Sequence, residues 1–232
     1  MIKAIIFDLD NTLIDFMKMK RLSCKAAMDA MIKAGLKIDK EKGLKIMFQL
    51  YSEYGFEYQR IFQVFMKKVL GRIDYRTMAS GIVAYRRIKE GLLYPYPNVI
   101  PTLNRLKRKY KLAILSDAPK IQAWIRLAAI GIQDKFDLVV TFDETKSKKP
   151  SRKPFLYLLK RLKLKPRECL MIGDSLKRDI APAKKLGFKT VFAKYGGDKE
   201  KARVKPDYII SDIKELLNIV QICSLYHFIF SF

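Results

Sequence analysis

Ile2-Lys3-Ala4-Ile5-Ile6-Phe7-Asp8-Leu9-Asp10-Asn11-Thr12-Leu13 is the stretch on which the fold turns. Its first half is a short apolar, β-branched run of the length of a buried strand, and it stops on two acids. A strand that ends on Asp8 and Asp10 delivers clustered negative charge to one edge of a sheet. Burial there demands a cation or a shifted pKa. Acids after a strand also cap ordinary turns, so the rest of the chain has to decide between a turn and a site.

Further apolar runs of strand length occur at 112–115, 138–141, 170–172, 190–193 and 208–210. Between them apolar residues recur at helical spacing over 99–109, 121–129, 154–162, 180–186 and 213–220. Strand and helix alternate, and the strands are apolar almost throughout. That pattern predicts an α/β fold, a Rossmann-like parallel sheet with helices on both faces. Ligands of such sheets bind beyond the carboxyl ends of the strands, where Asp8, Ser116 and Gly173-Asp174 fall.

Residues 16–91 interrupt the alternation. They show no convincing strand and give four amphipathic helical segments, about 16–34, 40–54, 57–70 and 75–90, punctuated by Gly35, Gly55 and Gly71-Arg72. The expected organisation is an α/β core of residues 1–15 and 92–222 with an inserted all-helical domain of residues 16–91. The insert is entered through Leu13 to Asp15 and left near Pro95 and Pro97. An apolar tail, 223–232, follows and is too short to span a bilayer; a terminal helix on the core or a dimer patch is favoured over membrane contact.

The 232 residues hold 47 Lys and Arg against 23 Asp and Glu, a formal charge of +24 that suits an anionic partner or small anionic substrates. Basic residues recur in nearly every segment rather than in one arm, so a solvated Lys-rich surface is favoured over a nucleic-acid platform. Cys24, Cys169 and Cys223 are odd in number and widely spaced, which excludes a disulfide framework or a CxxC metal site and points to a reducing compartment. Met1 leads straight into the first strand, leaving no room for a signal peptide, so a cytoplasmic location is expected. The only histidine, His227, lies near the end of the chain, where a Ser-His-Asp triad, an HExxH zinc site or a histidine base is hard to place. Chemistry is left to carboxylates, Lys and Ser.

Four separated signals match that exclusion. They are Asp8-x-Asp10-x-Thr12 after the first strand, Ser116-Asp117 after Leu112 to Leu115, Lys149-Pro150 ahead of the helix at Pro154, and Gly173-Asp174-Ser175 followed by Asp179 at an expected helix start. In this order they resemble the four motifs of the haloacid dehalogenase superfamily, and the helical insert resembles a C1-type cap. Within that superfamily the chain is similar to the archaeal glyceraldehyde 3-phosphate phosphatases.

The resemblance implies a Mg²⁺-dependent phosphatase in which Asp8 attacks phosphorus and becomes an aspartyl-phosphate. It makes Asp8, Asp10 through its main-chain carbonyl, and Asp174 the metal ligands. Asp10 is implied as the acid that protonates the leaving alkoxide and the base that activates water. Relatives that displace halide lack this second acid, which argues for phosphate as the substrate group. Ser116 and Asp117 stand at the phosphate-binding loop, Lys149 compensates charge on Asp8 and the phosphate, and Thr12 and Asp179 support these groups from behind, Asp179 by orienting Lys149 or metal-bound water. A carboxylate can attack an anionic phosphate ester only if a divalent cation and a lysine screen the charge, so the physical reading and the resemblance agree.

Two positions depart from the commonest family pattern. Asp117 replaces a frequent Asn and adds a carboxylate that must point away from phosphate, and Arg152 replaces a frequent Pro in the Lys149 loop. Bland roles compete at each site residue: a cap for Ser116, a solvated face for Lys149 in Lys146-Ser147-Lys148-Lys149, a turn acid for Asp174, a helix N-terminal acid for Asp179. The insert is expected to close over the site, with Lys18, Arg21, Tyr54, Arg86 and Arg87 as candidate substrate contacts. The rival functions are a phosphomutase with the same chemistry and a basic nucleic-acid-binding protein on the same scaffold. The expected partner is a small phosphorylated metabolite, with no nucleic acid, no stable membrane insertion and a monomer or homodimer.

Overall fold

The computed structural model describes residues 1–197 and 204–221 and divides them into two compact units, which are described separately. The first contains residues 1–15 and the described chain from 94 onward; the second is residues 16–93. The tail 223–232, with Cys223 and His227, lies outside the described residues.

The first unit is built on six parallel strands in the order β3-β2-β1-β4-β5-β6. In chain order they are β1 (Ala4–Phe7), β2 (Lys111–Leu115), β3 (Leu138–Val140), β4 (Cys169–Gly173), β5 (Lys189–Ala193) and β6 (Tyr208–Ile210). β1 lies inside the sheet, with Ala4 in register with Lys111 on one side and Cys169 on the other. Its residues are buried on both faces, which explains why the sequence shows a continuous apolar run instead of an alternation.

The period of two sorts these residues into layers. Ala4, Ile6, Ala113, Leu115, Cys169 and Met171 form one core with Phe155, Leu158, Leu159 and Leu162 of α8 (Arg152–Leu162) and Ala183 of α9 (Ala181–Leu186). Ile5, Phe7, Leu112, Ile114, Leu170 and Ile172 point the other way and are equally buried. Between β1 and β3 the unit also contains α5 (Val99–Leu106) and α6 (Lys120–Ala129). Before β4 comes the short α7 (Phe142–Thr145). Two local expectations are corrected. The segment expected as a helix over 99–109 stops at Leu106, and 213–220 splits into a 3-10 turn at Ile213–Glu215 followed by helix at 216–221.

The second unit contains α1 (Phe16–Lys33), α2 (Lys40–Tyr54), α3 (Ile61–Leu70) and α4 (Tyr75–Gly91). Asp39 and Asp74 cap α2 and α4 by accepting the backbone N–H groups of Lys42 and Thr77. The core is rich in methionine: Met28, Met31, Met47, Met66 and Met78 pack with Tyr51, Phe62, Phe65 and Tyr85. α3 starts at Ile61 rather than at the expected Glu57, and ahead of it the Tyr58 N–H turns back to the Gly55 carbonyl at 3.1 Å. The unit extends to Leu93, two residues beyond the expected boundary at 91.

One lysine of this unit is buried. Lys20 donates to the Phe56 carbonyl at 2.8 Å and the Tyr85 hydroxyl at 2.9 Å, with its ammonium 4.0 Å above the Tyr51 ring. It borders a cavity of about 230 Å³ that Gln59, Arg86 and Lys89 also line. Of the candidate contacts named from sequence, Arg86 lines this cavity, whereas Lys18, Arg21, Tyr54 and Arg87 are exposed.

Candidate active site

The site forms at the carboxyl edge of β1, β2 and β4. The Asp8 N–H donates to the Ile172 carbonyl at 2.9 Å, so Asp8 is the last residue tied to the β4 ladder before the chain turns. The turn is fixed by the Leu9 carbonyl, which accepts from Leu13, and by Asn11 in the left-handed region at φ 62°. Ser116 follows β2 and anchors to the Val140 carbonyl through its N–H. Gly173 ends β4 and hands the chain to Asp174.

Lys149 joins these loops. Its ammonium donates to Asp8 Oδ1 at 2.6 Å, Asp179 Oδ1 at 2.6 Å and the Leu115 carbonyl at 2.9 Å, and the residue is 4% exposed. Burial alone would lower its pKa, but the carboxylates of Asp179 and Asp8 outweigh that and hold it well above an ordinary lysine. A solvated face is thus excluded for Lys149, although its neighbours Lys146 and Lys148 are exposed.

The Asp117 side chain turns into the Lys149 loop. Its Oδ1 accepts the backbone N–H of Lys149 at 2.8 Å and its Oδ2 stands 3.7 Å from the Arg178 guanidinium. This side chain braces the Lys149 loop. The side chain of Ser116 carries a donor, and its oxygen also accepts the Ala118 N–H at 3.2 Å.

Asp8, Asp174 and Asp179 each offer a carboxylate oxygen within 4.8 Å of the others, and all three are buried. Burial first, then the charges of Asp8 and Asp179, push the Asp174 carboxyl well above the usual range, to about 9. Burial also raises Asp179, with the Lys149 ammonium opposing it. Asp174 Oδ1 is buried without a hydrogen-bond partner. Two cations, Lys149 and Arg178, face the four acids Asp8, Asp117, Asp174 and Asp179, so negative charge remains in excess. A hard, oxygen-lined, electron-rich cluster with an orphaned carboxylate oxygen fits a small divalent cation such as Mg²⁺ and suits zinc poorly.

The carboxylate of Asp10 does not belong to this trio. Arg126 of α6 donates to its Oδ2 at 2.7 Å. Thr12 donates to Asp8 Oδ2 at 3.3 Å and supports that side chain from within the same turn. Asp179 lies in a π-helical turn at Leu176–Ile180 and not at the start of an α-helix. This widened turn brings its Oδ2 to the Ser175 N–H at 3.1 Å while Oδ1 faces Lys149.

Two glycines make this close approach possible. A Cβ on Gly173 would overlap the Asp179 carboxylate, and one on Gly196 would overlap the Asn11 carbonyl. Beside Gly196, the Tyr195 hydroxyl donates to the Thr12 carbonyl at 2.8 Å and pins the aspartate turn. Arg126, Arg178, Tyr195 and Gly196 escaped the sequence reading. Only Arg126 left a signal, a charged residue set in the apolar stripe of Ala123, Leu127 and Ile130.

The haloacid dehalogenase-like hydrolase family model matches residues 2–187. The chain is 38% identical over 223 residues to the glyceraldehyde 3-phosphate phosphatase of Methanocaldococcus jannaschii, covering 95% of this chain and 98% of that protein. It is 34% identical over 230 residues to the protein of the same name from Methanothermobacter thermautotrophicus, covering 95% and 100%. Among solved structures, a HAD phosphatase from Thermococcus onnurineus superposes with a TM-score of 0.71 at 29% identity, over 94% of this chain and 98% of that one. The chain belongs to the haloacid dehalogenase-like hydrolases.

Proposed function

We propose that this hydrolase is a Mg²⁺-dependent phosphatase of a small phosphorylated metabolite, with a triose phosphate such as glyceraldehyde 3-phosphate as the leading candidate. The observation that carries the reading is the buried cluster in which Lys149 bridges Asp8 and Asp179 beside Asp174. A nucleophilic carboxylate, a fixed ammonium and an unbalanced acid pair are what attack on an anionic ester requires. The identities with the archaeal phosphatases support the substrate class.

An oxygen of Asp8 attacks phosphorus, the bond from phosphorus to the alkoxy oxygen breaks, and Asp10 gives its proton to the departing oxygen. Water then attacks the aspartyl-phosphate, Asp10 takes the proton from that water, and cleavage of the acyl phosphate returns the Asp8 carboxylate. Lys149 keeps Asp8 oriented throughout, and the Ser116 hydroxyl donates to a phosphoryl oxygen. Mg²⁺, held by the carboxylates of Asp8 and Asp174 and the main-chain oxygen of Asp10, would supply neutralising charge for the incoming phosphate. Asp179 acts through Lys149.

The reading places the protein in a reducing cytoplasm, consistent with free thiols at the buried Cys24 and Cys169. Among the described residues no helix is long and apolar enough to cross a membrane. The direct test is hydrolysis of p-nitrophenyl phosphate with and without Mg²⁺, for the native chain and Asp8→Asn. Loss of turnover both on chelation and on substitution is expected. Turnover by Asp8→Asn at the native rate refutes the mechanism, and a panel of triose, sugar and nucleoside phosphates ranked by kcat/KM tests the substrate class.

A further inference from the structure

We propose that Arg126 is the positioning residue of the acid/base, fixing the Asp10 carboxylate so that it can protonate poor leaving groups. The inference rests on the reading of Asp10 as acid/base and adds the group through which that function is set.

Arg126 lies on the buried face of α6 between Ala123 and Leu127 and is 3% exposed. A guanidinium carries its charge at every physiological pH, so burying it in an apolar stripe is unfavourable unless an anion meets it. Asp10 provides one in the resting site, where Nη1 donates to Oδ2 at 2.7 Å, and the carbonyl oxygen of the protonated acid can still accept that bond. Asp10 is 116 residues away in sequence, so the pair ties α6, which follows the Ser116 loop, to the turn that follows Asp8.

The backbone of that turn is already held. Asp10 bridges to Ile14, Asn11 N–H donates to the Ile14 carbonyl at 2.7 Å, and Tyr195 holds the Thr12 carbonyl. These bonds hold the backbone of the turn, whereas the contact with Arg126 acts on the Asp10 side chain itself. A proton donor works only within hydrogen-bond reach of the oxygen it serves, and a misplacement of about 1 Å costs on the order of 10²-fold. A guanidinium that is itself buried on a helix fixes where Oδ2 sits, which a flexible lysine ammonium does less well.

The role separates from mere anchoring by its dependence on the leaving group. p-Nitrophenolate departs without a proton, whereas an alkoxide needs one. In kcat/KM, which reports events through formation of the aspartyl-phosphate, a fault in acid positioning affects only the alkyl ester. We would measure kcat/KM for p-nitrophenyl phosphate and for the best alkyl phosphate of the panel, using the native chain, Arg126→Met, Arg126→Lys and Asp10→Asn. Melting curves and circular dichroism of each variant accompany the kinetics.

Arg126→Met is expected to lose about 10²-fold on the alkyl phosphate and less than about threefold on the aryl ester, with Arg126→Lys in between. Asp10→Asn should show the same selectivity in stronger form. Equal losses on both substrates in Arg126→Met, or native kinetics in that variant, overturn the proposal. If Arg126→Met does not fold, Arg126→Lys decides by the same ratio. Selectivity in Asp10→Asn without any in the Arg126 variants refutes the positioning role alone, whereas no selectivity in Asp10→Asn refutes the acid/base reading beneath it.

Discussion

Replacing Lys149 with Met keeps the length of the side chain and removes only its charge and donors. The native ammonium makes two contacts of 2.6 Å to carboxylates and one of 2.9 Å to a carbonyl, all in the interior. Taking one partner out of a buried ion pair typically costs about 3–5 kcal/mol, because the remaining charge is left without compensation. For a chain of this size that is a fall in Tm of roughly 6–20 °C in metal-free buffer near neutral pH.

The loss should depend on pH in a definite direction. Burial and mutual repulsion put Asp174 and Asp179 above their unfolded pKa values, so each carries a penalty that is absent well below about pH 4 and grows as pH rises toward the folded value. Lys149 opposes the rise of both groups, so without it their penalty grows, and the deficit of the variant is expected to be smaller near about pH 5 than near about pH 8. Mg²⁺ should recover part of it by binding the folded state alone. Scanning calorimetry at both pH values, with EDTA and with Mg²⁺, reads all three effects. A variant within about 2 °C of the native Tm in EDTA near neutral pH, or a deficit that is the same at both pH values, would refute the electrostatic reasoning.

Two further expectations follow from other contacts. Gly173→Ala should push the Asp179 carboxylate off Lys149 and abolish turnover of p-nitrophenyl phosphate while the protein stays folded; activity above about a tenth of native argues against the packing described, given that displacement of about 1 Å costs about 10²-fold. Asp207 accepts the N–H and hydroxyl of Thr190 at 2.9 and 2.7 Å, so Asp207→Ala should cost about 1–3 kcal/mol in urea unfolding. Burial would raise the pKa of Asp207, but the bonds from Thr190 and Lys184 outweigh it and depress it. The difference from native should thus be complete above about pH 4 and fade as pH falls below it, and a difference that grows on acidification contradicts the assignment.

The strands were legible because a doubly covered parallel strand writes its burial as an unbroken apolar run, as at Ala4–Phe7 and Cys169–Gly173. The acids were legible because charge at the end of such a run has no packing role. What escaped depends on partners far away in sequence. Nothing near Asp10 announces Arg126, and nothing near Asp117 shows that its carboxylate would be claimed by the Lys149 backbone. The π turn around Asp179 is invisible to a 3.6-residue periodicity. Lys20 was passed over because a lysine among helical residues reads as solvated, and only the surrounding Tyr51, Tyr85 and Phe56 carbonyl reveal it as interior.

The interior position of β1 has a consequence for the order of events on the ribosome. Ala4 is made almost first, yet its neighbour Lys111 emerges only after the whole helical insert, and its other neighbour Cys169 only after β2 and β3 as well. The helices of 16–93 find one another locally and can settle while the opening strand, with its apolar side chains and bare edges, still waits. The nascent chain thus carries this strand with both edges bare until about half of it has been translated, and with one edge bare until about three quarters.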